Sequence, residues 1–294
     1  MARVSFLFKT LDRYFKIQSR SCPYCGSLDS ELLGRKKILL QLRRCRLCHL
    51  MYRFPKDEPE TSDAYYQGQY VEGMTTELPD SQTLQKWIDA NFFGTSKDLS
   101  EKIRLVQTQQ FCGRLLDYGC SWGYGVFQFC KAGFDAMGYE VSLPRARFGR
   151  ERLSVRILES RAELEKLADH CFDVIFANHV LEHLYDPYTA FEDWQRLLRP
   201  TGVLLVFVPN GWGENARKLG PRWGPMIGEK HPLAIDAEFL HRNLPKHGVI
   251  PAFCSSPYPQ EGINLKTKPH ASSLSGDELL AVVRPAKALA KQSP

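Results

Sequence analysis

Leu115 and Leu116 run into Asp117, and glycines follow at 119, 123 and 125. Two apolar residues, an acid, glycines spaced G-x-x-x-G-x-G and the mainly apolar stretch 126–132 describe a strand, a tight turn and a helix. Glycine lacks a Cβ, so such a turn lets backbone N–H groups approach a ligand at a helix N-terminus. The spacing is not the G-x-G-x-x-G of a dinucleotide site, and the Asp117 carboxylate would repel a pyrophosphate. An acid at this place suits a ligand with a positive end. S-adenosylmethionine has two, its sulfonium and its ammonium. The bland alternative is an ordinary strand-to-helix turn.

A second acid supports the ligand reading. Glu140 closes the next expected strand, 134–140, and a carboxylate at that tip can accept hydrogen bonds from both hydroxyls of a ribose. The expected cofactor residues are Asp117, Tyr118, Gly119, Cys120, Ser121, Gly123, Glu140, Val141 and Asn178. Methyl transfer to a hydroxyl also needs a base. His179 and His231 are the candidates, because imidazole titrates near neutral pH.

A different chemistry sits at the N-terminus. Cys22, Cys25, Cys45 and Cys48 form C-x2-C-x19-C-x2-C. This is the spacing of a zinc ribbon, in which two thiolates from each knuckle close a tetrahedron around a structural Zn2+. His49 is adjacent and is read as a spectator.

The elements that must position these residues alternate. Residues 97–111 read as a helix with Ser96 as N-cap, followed by the strand that ends at Asp117. Helix 144–152, strand 155–159, helix 162–167 and the apolar strand 172–177 come next. Asp186 and Pro187 open a helix that Pro200 and Gly202 stop, and 203–208 is a further strand. This rhythm means an α/β, Rossmann-like, doubly wound parallel sheet with its ligand beyond the strands' carboxyl ends.

The stretch 116–125, Glu140, the stretch 172–184 and the stretch 197–206 together resemble the class I S-adenosylmethionine-dependent methyltransferases. The resemblance covers about residues 97–290. It implies seven strands with the last antiparallel, and 249–255 and 279–284 are the expected final two. Ser121 departs from the pattern, which has Gly there. A cysteine-knuckle module ahead of such a domain also resembles methyltransferases of bacterial glycan pathways. His179, Glu182 and His183 spell H-x-x-E-H, a zinc-protease motif when it lies within a helix; here it follows a buried strand. Some O-methyltransferases of this fold bind a divalent metal through E-x-x-E-H, whose first Glu is His179 in this chain. Glu182 and His183 are expected as hydrogen-bonded support behind the cofactor loop.

The 294 residues, 43% hydrophobic and 24% charged, suffice for one α/β core and an appendage. Residues 1–56 carry 13 Lys/Arg against 3 Asp/Glu, so the basic excess is confined there. The expected organisation is a basic amphipathic segment at 1–20, a zinc-ribbon-like module at 21–56, a partly ordered linker or cap at 57–96 that includes Tyr65, Tyr66 and Tyr70, and the methyltransferase domain at 97–290. An insert at 211–233, with Trp212, Arg217, Trp223 and His231, is read as a substrate lid or a packed surface excursion. No apolar run is long enough to span a membrane, and no signal peptide is recognised. The segment 1–20 reads as a short amphipathic helix that packs on its own domain or touches a membrane surface or a partner. Two C-x-x-C pairs and an odd cysteine count suit a reducing, cytoplasmic setting.

The expected function is methyl transfer to a small-molecule or glycan-type acceptor: a sugar, nucleotide-sugar or polysaccharide hydroxyl, amine or carbon. One alternative is a zinc-dependent RNA methyltransferase that grips nucleic acid with its basic module. Another is a non-catalytic scaffold that binds S-adenosylmethionine.

Overall fold

A computed structural model describes residues 20–37, 39–56, 77–228, 230–260 and 263–286. The N-terminal amphipathic segment and Tyr65, Tyr66 and Tyr70 lie outside them. No helix among the described residues is long and apolar enough to cross a membrane.

Strands β1 (Ser30–Lys36), β2 (Leu40–Cys45) and β3 (Met51–Phe54) form an antiparallel meander that carries the cysteines. Helices α1 (Ser81–Asp89) and α2 (Ser100–Gln109) lead to β4 (Gly113–Tyr118). Then follow α3 (Tyr124–Lys131), β5 (Phe134–Tyr139), α4 (Leu143–Leu153), β6 (Ile157–Leu158), α5 (Arg161–Glu165), β7 (Phe172–Asn178), α6 (Pro187–Leu197) and β8 (Leu198–Pro209). The chain continues through α7 (Glu214–Leu219), β9 (Leu233–Ala234), α8 (Ala237–Asn243), β10 (Val249–Ser255) and β11 (Glu278–Pro285). The main sheet has the order β10-β11-β8-β7-β4-β5-β6, and β11 runs antiparallel to both of its neighbours. This is the seven-stranded, Rossmann-like class I methyltransferase fold that the sequence implied.

The two-residue period of each strand sorts its side chains onto two faces. Leu116, Ile175, Leu204, Val206, Leu279 and Ala281 pack beneath α6 and α8, with Phe191, Trp194, Phe239 and Leu240. Leu115, Val174, Phe176, Val203, Leu205 and Leu280 pack beneath α2, α3 and α4. Both faces are covered, so β7 and β8 are apolar throughout. Each such Leu, Val or Phe contributes about 1.5–3 kcal/mol on burial.

The segment read as a partly ordered linker contains α1. Asp80 caps it by accepting from Thr83 N, and Trp87 lies nearly parallel to Trp122 with centroids 6.3 Å apart. The expected N-cap Ser96 is replaced by Leu99, three residues on, which makes no side-chain cap bond.

The insert is packed rather than free-standing. Leu233 and Ala234 pair with Tyr52 and Met51, adding β9 to the cysteine module's sheet. Trp223, Met226 and Ile227 are buried against Leu40, Leu42 and Met51. The module therefore docks on the main domain through the insert. A second contact reinforces it: Tyr24 meets Phe239 edge to face, and its hydroxyl lies 3.0 Å from Nε2 of His247.

Candidate functional site

The glycine turn joins β4 to α3. Gly119 and Gly123 have φ of +81° and +80°, in the left-handed region that favours glycine. At Gly119 a Cβ would also come within 2.5 Å of a Val180 methyl, so the turn is closed down against the loop after β7. Ser121, where the family pattern has Gly, holds φ +52°. Its hydroxyl accepts a 2.8 Å hydrogen bond from Nη1 of buried Arg145, and its N–H donates to Oε2 of Glu140 at 2.9 Å.

Glu140 follows β5 directly. Its Oε1 accepts from Ser142 N at 2.8 Å. Two backbone donors fix the carboxylate and leave acceptor capacity on both oxygens. Burial raises its pKa, and the Ser142 N–H, Arg145 and the Ser121 N–H oppose that shift. Asp117 ends one strand over. Burial, and then the charge of Glu140, push its pKa up to about 8.

Between these strand ends and the loop after β7 lies a cleft of about 620 Å³. Tyr118, Gly119, Tyr139, Glu140, Val141, His179, Val180, His183 and Leu184 line it. Of the residues expected to hold a cofactor, Tyr118, Gly119, Glu140 and Val141 meet at this wall. Cys120 is turned inward, its sulfur filling the space beside Gly138. The Tyr118 hydroxyl also points away, donating to Asp193 at 2.9 Å. These two residues offer the cleft backbone or ring rather than their polar side-chain atoms.

Asn178 and His179 belong to a polar network that the sequence did not reveal. Lys102 of α2 donates to Asn178 Oδ1 at 2.5 Å and to Glu278 Oε1 at 2.6 Å. His179 bridges two acids: Nδ1 is 3.0 Å from Glu182 and Nε2 is 2.7 Å from Glu278. Tyr258 donates to the other oxygen of Glu278 at 2.8 Å. Desolvation lowers the pKa of His179, but the hydrogen bonds to Glu182 and Glu278 outweigh it and raise it to about 9. An imidazole so held is a donor and an orienting cation at neutral pH. His179 also holds φ +56°, a strained backbone of the kind found at functional sites.

His231 is not in this network. Its ring packs edge to face on His183 with centroids 4.7 Å apart. Of the two candidate bases, His179 meets Glu182 and His231 meets His183.

A larger cleft of about 1,080 Å³ opens beyond β8. The module contributes Arg44 and His49, and the main domain contributes Asn210, Trp212, Arg217, Asp236 and Arg242, among others. The Arg44 guanidinium lies 4.4 Å from the centre of the Trp212 ring and 3.3 Å from Asp236.

The four cysteines of the module converge. Cys22 and Cys48 sulfurs are 3.4 Å apart, Cys25 and Cys45 sulfurs 3.5 Å, and all four lie within 4.8 Å of one another. Tetrahedral zinc with bonds of about 2.3 Å sets its sulfurs about 3.8 Å apart, so the donor set fits the ion in chemistry and size. Gly26 turns the first knuckle at φ +73°, and His49 holds the same place in the second at φ +66°, outside the sulfur cluster.

Comparison with known proteins agrees with this geometry. Residues 116–206 match the family described as "Methyltransferase domain". Phosphoethanolamine N-methyltransferase 1 of Zea mays is 29% identical over 38% of this chain and 23% of its own length. Ubiquinone biosynthesis O-methyltransferase of Actinobacillus pleuropneumoniae serotype 7 is 30% identical over 42% of this chain and 59% of its own. The chain spans about a quarter of the length of the curated relatives it matches first. Geranyl diphosphate C-methyltransferase from Streptomyces coelicolor A3(2) aligns over 78% of this chain and 99% of its own, at 16% identity and a TM-score of 0.49. With the topology, the glycine turn and the matched segment in agreement, this chain carries a class I S-adenosylmethionine-dependent methyltransferase domain.

Proposed function

We propose that the protein transfers the methyl group of S-adenosylmethionine to a small-molecule or glycan-type acceptor, a sugar, nucleotide sugar or polysaccharide. One observation carries this reading. Two buried carboxylates, Asp117 and Glu140, end adjacent parallel strands beside a left-handed glycine turn that packs closely against its neighbours. Asp117 faces the cofactor's positive end, Glu140 takes the ribose hydroxyls, and the backbone of 119–123 follows the ligand between them. Val141 lies at the mouth, and Asn178 with Lys102 and Glu278 closes the side nearest β8. Displacement at a sulfonium needs alignment and exclusion of water above all.

The acceptor is assigned to the larger cleft beyond β8. A tryptophan, several cations and the buried acid Asp236 suit a hydroxyl-rich or anionic molecule. His179, held as a cation, lines the cofactor cleft and not this one, and His231 is the remaining candidate base. The cysteine module holds a structural Zn2+, and one of its arginines, Arg44, reaches the acceptor cleft.

The RNA reading is weaker because much of the module's basic excess is committed internally. Arg43 bonds Ser30 and Gln41, Arg44 pairs with Asp236, Lys36 donates to the Ile227 carbonyl and Arg53 is buried. Such side chains are poorly placed to grip a phosphate backbone.

The test is turnover of methyl-labelled S-adenosylmethionine with cell extract separated into glycan, nucleotide-sugar, RNA and protein pools. Label in a sugar-containing pool supports the reading. Label confined to RNA would replace it with the nucleic-acid alternative. Binding without transfer to any pool would favour the scaffold.

A further inference from the structure

We propose that the cleft beyond β8 recognises an acid sugar, a pyranose ring that carries a carboxylate or a phosphate. Trp212 is the platform for the ring, and Arg44 and Arg217 grip the anion. The site stands on geometry; that its ligand is the methyl acceptor rests on the methyltransferase reading.

The platform is rigid before any ligand arrives. Asn210, directly after β8, is buried. Its side-chain carbonyl accepts from Trp212 N at 3.2 Å, and its amide donates to the carbonyls of Leu274 and Gly276 at 3.1 and 2.9 Å. Glycines flank the tryptophan. A Cβ on Gly211 would meet the Ile235 carbonyl oxygen at 2.8 Å, and one on Gly213 would meet the Gly276 carbonyl oxygen at 2.5 Å. The backbone is therefore clamped on both sides of Trp212, and the Arg44 guanidinium lies against its ring. The insert buries Trp223, Met226 and Ile227, yet Trp212 is 42% exposed. A large ring fixed in a cleft and left uncovered is a binding surface. The face of an indole is negative and attracts the C–H face of a sugar.

The anion is argued from a surplus of donors. Asp236 Oδ1 accepts from Phe239 N at 2.8 Å, and Oδ2 accepts from Arg44 Nη2 at 3.3 Å. Glu238 Oε1 accepts from Arg242 Nε, and Oε2 lies 2.9 Å from Nε2 of His270. All four carboxylate oxygens of the cleft are thus met, and donors remain. Arg44 Nε is buried and has no hydrogen-bond partner among the described residues. The exposed guanidinium of Arg217 has no hydrogen bond or ion pair among them. An unmet buried donor is costly, and a ligand oxygen relieves it. Guanidinium forks also match the paired oxygens of carboxylate and phosphate.

The platform adjoins the cofactor cleft. Asn210 N donates to the Asp277 carbonyl at 2.8 Å, and Glu278, the next residue, holds His179 at that cleft. Consecutive residues therefore fix the acceptor platform and a wall of the methyl donor's site.

The experiment titrates the full zinc-loaded chain, with S-adenosylhomocysteine present, against glucuronate, glucose-1-phosphate, glucose and benzoate. Saturation-transfer-difference NMR reads their binding, and calorimetry reads S-adenosylhomocysteine binding by each protein. At least one acid sugar is expected to bind the wild type more tightly than glucose or benzoate does, and which one binds identifies the anion. Trp212→Ala and Arg217→Ala should each weaken it about tenfold, and Arg217→Lys by less. S-adenosylhomocysteine binding should be the same in all four proteins. Three results would overturn the site: equal acid-sugar affinity in the wild type and either alanine variant, tightest binding to glucose or benzoate, or no acid-sugar binding. If S-adenosylhomocysteine still binds, the methyltransferase reading survives that failure. Acid-sugar binding that needs Trp212 and Arg217, in a wild type that binds no S-adenosylhomocysteine, would keep the site and remove that reading.

Discussion

Ser121 Oγ accepts a hydrogen bond from Nη1 of Arg145, a buried guanidinium one helix away, at 2.8 Å. This contact holds a non-glycine residue in a left-handed turn that the family pattern gives to glycine. Ser121→Ala removes the bond and keeps the backbone cost. Ser121→Gly removes both. A left-handed residue costs about 1–2 kcal/mol when it is not glycine, so Ser121→Gly should be the more stable of the two variants by about that amount. Chemical denaturation of both checks the order.

Gly119 and Val180 are locked face to face. Gly119→Ala adds a Cβ 2.5 Å from a Val180 methyl at φ +81°, so it should destabilise the protein and weaken cofactor binding. Removing the opposing methyl groups with Val180→Ala should recover part of that loss. The coupling expected for residues in direct contact is about 0.5–3 kcal/mol in a double-mutant cycle. A coupling of zero would mean that the turn is not closed against Val180.

Asp117 supplies a pH signature. Burial raises its pKa to about 8, so it is largely protonated at pH 7 before the cofactor arrives. A positively charged ligand favours the carboxylate, so binding at pH 7 should release a proton from Asp117, and this release should vanish above pH 9. For folding alone the sign is opposite. A carboxyl whose pKa is raised in the fold contributes stability at low pH, and that contribution is lost as pH rises through about 8. Calorimetric titration with S-adenosylhomocysteine in buffers of different ionisation heat should show fewer protons released by Asp117→Asn.

The cysteine module shares a core with the main domain. Cys22, Cys45, Cys48, Leu50 and Tyr52 lie in one cluster with Phe191, Phe239 and Leu240. Cys45→Ser should therefore lower the melting temperature of the whole chain as well as remove the module's zinc. Loss of a structural zinc site is loss of folding free energy. A single lowered transition is expected in scanning calorimetry; an unchanged main transition would mean that the module is dispensable to the domain.

Much of this was legible because it is local. Asp117, the glycines and Glu140 lie within one strand–turn–helix–strand unit, and their spacing alone places them on one edge. The C-x2-C pairs are similarly self-announcing. The network around His179 was not legible. Lys102 is one polar residue on an amphipathic helix, and Glu278 opens a strand 99 residues after His179. Only the insertion of β11 beside β8 brings them together. The insert, read as a lid or a packed excursion, divides between two surfaces for a related reason. Trp223, Met226 and Ile227 pack against the module, whereas Trp212 and Arg217 line the cleft beyond β8. Likewise α1 was hidden in a Pro- and Gly-containing stretch, since a nine-residue helix with one fully buried side chain leaves little periodicity to read.

Calorimetry with S-adenosylhomocysteine on the wild type and on Gly119→Val, with folding of both checked by circular dichroism, bears most directly on the central claim. The account predicts saturable one-site heat for the wild type and none for the variant, whose side chain would occupy the turn and strike Val180. No heat from folded wild type, or equal heat from both proteins, would contradict it.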